Sequence, residues 1–124
     1  MSDDKKPEKR EPAKPLKDPE VYVNVTPKDS KNPEHKEAAK KVQKKLEEKV
    51  KQAVEENKPG GQEKQFKAVE KETKKAGEGT DKNEIEKIKV RVAGKDEDGD
   101  VIDRGWGVTP KEDKSAAKLF KFLS

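Results

Sequence analysis

Residues 87–92, KIKVRV, decide the fold, because Ile88, Val90 and Val92 alternate with Lys87, Lys89 and Arg91. A period of two places successive side chains on opposite sides of a strand, so this stretch has one apolar and one cationic face. After a polar loop containing Asp98-Gly99, residues 101–108, VIDRGWGV, return as the hairpin partner, with Ile102, Trp106 and Val108 sharing a face. Upstream, residues 21–26, VYVNVT, repeat the alternation until Pro27 ends it, which supplies a third strand.

Between the first strand and the hairpin the apolar period lengthens. Asn32 is placed to cap a helix, with Pro33 at its first position and Glu34 and Glu37 near its positive end. Ala39, Val42, Leu46, Val50 and Ala53/Val54 then recur every three or four residues to Asn57, one narrow stripe on a Lys/Glu cylinder. Lys58-Pro59-Gly60-Gly61 breaks that helix, and a second one is predicted from Gln62 to Ala76, stopping at Gly77, with Phe66, Val69 and Thr73 on one side. Thr109-Pro110-Lys111-Glu112 reads as a capping box opening a last helix through Ala116, Phe120 and Leu123, widened by Leu119 and Phe122. Val25-Thr26-Pro27-Lys28-Asp29 resembles Val108-Thr109-Pro110-Lys111-Glu112, and good strand-ending chemistry explains both without duplication.

The predicted class is therefore α+β, in the order strand, helix, helix, strand, strand, helix, with a small antiparallel sheet packed under the helices. Residues 1–19 hold four prolines and eleven charged residues, with Met1, Ala13 and Leu16 as their apolar side chains. So little apolar area cannot offset the entropy of ordering, which predicts a disordered tail over 1–19 and a single domain over 20–124.

Composition narrows the function. Charged residues make up 47% of the 124 and hydrophobic ones 27%, so the core must be modest. The net charge is only +4, from 31 Lys and Arg against 27 Asp and Glu, with the two signs interleaved along the chain. Nucleic-acid binders concentrate basic residues where several phosphates can be neutralised together, so composition alone makes this a weak polycation. The absence of cysteine excludes disulfides, thiolate metal sites and a thiol nucleophile. No apolar run suits a signal peptide or a spanning helix, so no membrane partner is expected and the cytoplasm is the default location.

Catalysis is not expected, and neither is a cofactor. His35 is the one histidine, and with Glu34 and Glu37 it falls in the first turn of a helix, where acidic residues complement the dipole and a histidine faces solvent. The acidic stretch Asp96-Glu97-Asp98-Gly99-Asp100 invites a calcium reading, but an EF-hand begun at Asp96 would need Gly at Val101 and Glu at Gly107. A solvated hairpin tip accounts for the same residues. Gly60-Gly61 lacks the Lys-Ser/Thr that completes a phosphate-binding loop.

Trp106, set between Gly105 and Gly107, has two readings. It could stack on a nucleic-acid base, helped by Lys87, Lys89, Arg91 and Arg104. Its parity with Ile102 and Val108 instead predicts a core tryptophan facing the helices, with the glycines making room for a close helix or a bulge. Lys87, Lys89 and Arg91 point the other way and form the one candidate anion or nucleic-acid face. From about Val21 to Leu123 the order of elements resembles that of the K-homology RNA-binding domains. Their Gly-x-x-Gly loop would fall at Gly60-Gly61-Gln62-Glu63, where the second glycine is missing.

These observations lead to a non-enzymatic interaction module with an anionic partner, either weakly and non-specifically bound nucleic acid or an acidic protein surface. A Lys/Glu-rich, cysteine-free surface also suits an idealised or designed scaffold with no evolved ligand. A hydrophilic stress-type protein, largely disordered when free, is the third reading.

Overall fold

A computed structural model describes residues 14–113 of the chain. Strand β1 (Lys17–Pro27) is followed by helix α1 (Pro33–Glu56), a 3-10 turn (Lys58–Gly60), helix α2 (Gly61–Gly79) and the hairpin β2 (Ile85–Lys95) and β3 (Val101–Val108). The three strands form one antiparallel sheet in the order β1-β2-β3. This is the expected α+β class, with the helix pair connecting β1 to its neighbour β2.

The alternation in KIKVRV becomes burial directly. Ile88, Val90 and Val92 are fully enclosed, while Lys87, Lys89 and Arg91 are exposed. Val23 and Val25 of β1 join the apolar face, which is closed by Ala39, Leu46, Val50 and Val54 of α1 and by Phe66 and Val69 of α2. Both helices thus lie on one side, and the other side of the sheet is open to solvent. Asn32 caps α1 as predicted, its Oδ1 accepting from the backbone N–H groups of Glu34 (2.8 Å) and His35 (3.4 Å). His35 is more than a spectator, because its Nδ1 accepts the Asp29 N–H at 3.2 Å and so closes the loop between β1 and α1.

Three expectations need correction. The chain is ordered before residue 20: β1 begins at Lys17, and Leu16 is 3% exposed within the core. Leu16 sits against Gly94, where a Cβ would lie only 3.0 Å from the leucine's own Cβ, and its N–H donates to the Oε1 of Gln65 at 3.0 Å. Gln65 is itself fully buried and donates through Nε2 to the Val54 carbonyl at 2.9 Å, tying the incoming chain to both helices. One leucine among prolines and charges carries no periodicity, so its docking is invisible until the distant Gly94 and Gln65 are brought to it. Residues 1–13 of the expected tail lie outside the described residues.

Helix α2 does not stop at Gly77 but continues to Gly79. Gly77 is there for contact: a Cβ would come within 3.0 Å of Val108 Cγ2 and 3.4 Å of the Thr109 carbonyl oxygen. Within α2 the glycine that needs an unusual backbone is Gly61, at φ +82°, where the chain turns from the 3-10 segment into the helix.

The capping box at Thr109–Glu112 does not open a helical turn. The Lys111 N–H donates to the Gly77 carbonyl and the Glu112 N–H to the Thr80 carbonyl, while the Glu112 carbonyl accepts from Lys82, so this stretch pairs with the end of α2 and the loop beyond it. These tertiary partners satisfy the donors that a helix start would have left free. The remainder of the predicted last helix, including Ala116, Phe120 and Leu123, lies outside the described residues.

Candidate anion-binding face

The open side of the sheet is a grid set by strand register. Tyr22 of β1 is opposite Arg91 of β2, which is opposite Gly105 of β3, and in the next row Asn24, Lys89 and Gly107 are aligned. Thr26 faces Lys87, and Ala93 lies between Glu20 and Asp103. Alternate residues on one strand lie about 6.6 Å apart, so Lys87, Lys89 and Arg91 form an evenly spaced cationic row along the central strand. All three predicted face residues are therefore brought together.

Their charges are not equally available. Arg91 Nε lies 3.5 Å from Asp103 Oδ1, and the guanidinium carbon sits 4.6 Å above the centroid of the Tyr22 ring. Among the described residues, no carboxylate stands within ion-pairing distance of Lys87 or Lys89. The Tyr22 hydroxyl donates to Glu20, and this bond, together with the nearby carboxylate charge, raises the phenol pKa above its ordinary value, against a smaller lowering by Arg91. Glu20, Tyr22, Arg91 and Asp103 thus form a chain of contacts across the face, with the two lysines beside it.

On the β3 side the floor is bare. Gly105 and Gly107 leave backbone exposed, and together with Tyr22, Asn24, Lys87, Lys89 and Arg91 they line an open trough of about 700 Å³. Glu47 of α1 marks its border on the β1 side.

Trp106 is partly as predicted. It faces the helices, with its ring centroid 5.8 Å from that of Phe66, but it is only half-buried, because β3 is an edge strand. The Arg104 guanidinium lies over both rings, 5.3 Å from the Phe66 centroid and 5.7 Å from that of Trp106, and so covers the open side of the pair. Arg104 is opposite Val92, on the helix side of the sheet, and does not join the cationic row.

The hairpin tip behaves as a turn. Gly99 has φ +86°, and Asp96 Oδ1 accepts the N–H groups of Asp98 and Asp100, each at 2.9 Å. One carboxylate oxygen each of Asp96, Asp98 and Asp100 lies within 4.8 Å of the others, and Oδ1 of Asp96 also holds the loop backbone. Among the described residues, no helix is long and apolar enough to cross a membrane.

No protein-family model, curated protein or solved structure matches the chain. No comparison supports the likeness to the K-homology domains, whose last helix would fall outside the described residues, and the functional argument rests on the face itself.

Proposed function

We propose that the protein is a non-enzymatic binding module that takes an anionic partner on the open face of its sheet. The observation that carries this reading is the juxtaposition of Lys87 and Lys89, unpaired with carboxylates among the described residues, with the bare floor of Gly105 and Gly107. A row of cations over an unobstructed surface attracts a polyanion without needing a deep pocket. The whole face is nearly neutral once Glu20, Asp103 and Glu47 are included, so binding is weak and confined to the central row. Each phosphate of a single strand neutralised contributes about 0.7 of a power of salt dependence, so two lysines and a shared arginine predict oligonucleotide affinity falling as roughly the 1.5 to second power of salt.

The test compares the wild type with Lys87→Glu/Lys89→Glu/Arg91→Glu, using labelled oligothymidylate and labelled polyglutamate at low and at physiological salt. Binding of at least one probe at low salt, abolished in the triple variant, supports the reading. Undiminished binding by the triple variant puts the site elsewhere. Failure of the wild type to bind either probe leaves the scaffold without an evolved ligand as the better account.

A further inference from the structure

The two glycines of β3 have no explanation within the fold. Gly in a strand interior weakens it, since the flexible backbone loses more entropy on ordering and contributes no side chain to packing. Such a residue is retained where φ is positive or where a Cβ would collide. Neither applies to this pair: among the described glycines only Gly61 and Gly99 have positive φ. A Cβ on Gly105 would meet nothing nearer than the Val90 carbonyl oxygen at 3.6 Å, and one on Gly107 nothing nearer than Lys87 Cε at 3.8 Å. Both are ordinary contacts, in contrast to the 3.0 Å approaches at Gly77 and Gly94. The fold would accept side chains at 105 and 107, and their absence keeps the trough open.

What could occupy it is limited by its surroundings. β2 is the central strand, with its backbone hydrogen bonds already shared with β1 and β3, so an extended peptide lying over it could not be held as an added strand. The flat features on offer are the exposed Gly105 and Gly107 backbone and the guanidinium of Arg91, which packs over the Tyr22 ring. Planar groups stack on guanidinium planes and on peptide planes, and nucleobases do so regardless of sequence. Lys87 and Lys89 then stand beside the trough at a spacing that suits consecutive phosphates of an extended strand.

We propose, building on the anion-binding reading above, that the ligand is a single-stranded nucleic acid, with bases lying in the Gly105–Gly107 trough against Arg91 and phosphates on Lys87 and Lys89. The side-chain-free floor admits bases of any identity, so recognition is of single-strandedness rather than of sequence.

The experiment uses Gly105→Val/Gly107→Val in the full chain, with oligothymidylate, inorganic polyphosphate and polyglutamate as probes of matched charge at low salt. Valine suits a strand, and its Cβ at either position meets only ordinary contacts, so the melting temperature should stay the same or rise. The proposal requires the wild type to bind the oligonucleotide at least tenfold tighter than either base-free polyanion. It also requires the valine variant to lose that preference without loss of fold. Equal binding of polyphosphate, tighter binding of polyglutamate, or an unchanged preference in the valine variant would overturn it. In each of those cases the anion-binding reading stands if the Lys87/Lys89/Arg91 charge reversal still abolishes binding. No binding of any probe by the wild type overturns both. If the valine variant fails to fold, Gly105→Ser/Gly107→Ser, with smaller side chains over the same floor, decides by the same readout.

Discussion

Tyr22 is the one tyrosine in the chain, so its ionisation can be followed alone by ultraviolet absorbance. The Glu20 carboxylate accepts its proton-bearing hydroxyl and opposes the phenolate, and the midpoint should therefore lie above the usual value near 10. Glu20→Ala removes both the accepting oxygen and the carboxylate charge and leaves Arg91 to favour the phenolate, so the midpoint should fall. A midpoint that does not move would mean the Glu20 contact is not populated. A raised pKa on an acid means the folded state holds the proton more tightly. Its contribution to stability is present below the unfolded value and is lost as pH rises through the folded one, in the alkaline range. Asp103→Asn is the companion prediction: freeing Arg91 from its ion pair should strengthen oligonucleotide binding and steepen the salt dependence by about 0.7 of a power. Gly77 belongs at this scale too. An alanine would favour the helix by up to about 1 kcal/mol, but its Cβ would press on Val108 and the Thr109 carbonyl, so Gly77→Ala should lower the denaturation midpoint. A higher midpoint would show that the contact yields.

At the scale of elements, the entry of β1 and the edge of β3 decide how a small core is closed. Leu16 is enclosed between Gly94 and the core cluster, so Leu16→Ala should cost about 2 to 4 kcal/mol in chemical denaturation. A change within a few tenths of a kcal/mol would mean that this strand entry is not docked. Gln65→Met keeps the volume but strands the Leu16 N–H and the Val54 carbonyl, at about 1 to 3 kcal/mol. Trp106 lies half-open on Phe66 under Arg104, so Trp106→Ala should cost less than a fully buried tryptophan would, about 2 kcal/mol. As the one tryptophan, it should show iodide quenching between that of a buried and a free indole.

Residues 14–113 form a two-layer arrangement in which both helices cover one side of three strands, and the proposed binding face is the side left open. The near-cancellation of 31 positive and 27 negative side chains argues against any broad electrostatic attraction, and the local arrangement on β2 matters more than the total. Oligonucleotide affinity measured over a range of salt should show the roughly 1.5 to two powers that the row allows. A steeper dependence would implicate lysines beyond this face.

The sequence by itself determined the elements whose signal is local and periodic. KIKVRV announced both the buried and the cationic side of β2, and the stripe from Ala39 to Val54 announced α1 and the face it buries. It also placed Lys87, Lys89 and Arg91 together, because alternation alone puts them on one side. Tertiary structure alone decided the isolated residues. Leu16 finds its place through Gly94 and Gln65, each remote in sequence. Gly77 is a contact glycine inside α2, approached by Val108, and Thr109–Glu112 pairs with the end of α2 and the loop beyond it instead of starting a helix. The pairing register set Gly105 beside Arg91 and Gly107 beside Lys89, which made two glycines and a row of cations into one surface. The reason is common to all of these: a period of two or of about 3.6 is written in neighbouring residues, whereas a contact between single residues far apart in the chain exists only once the chain has folded.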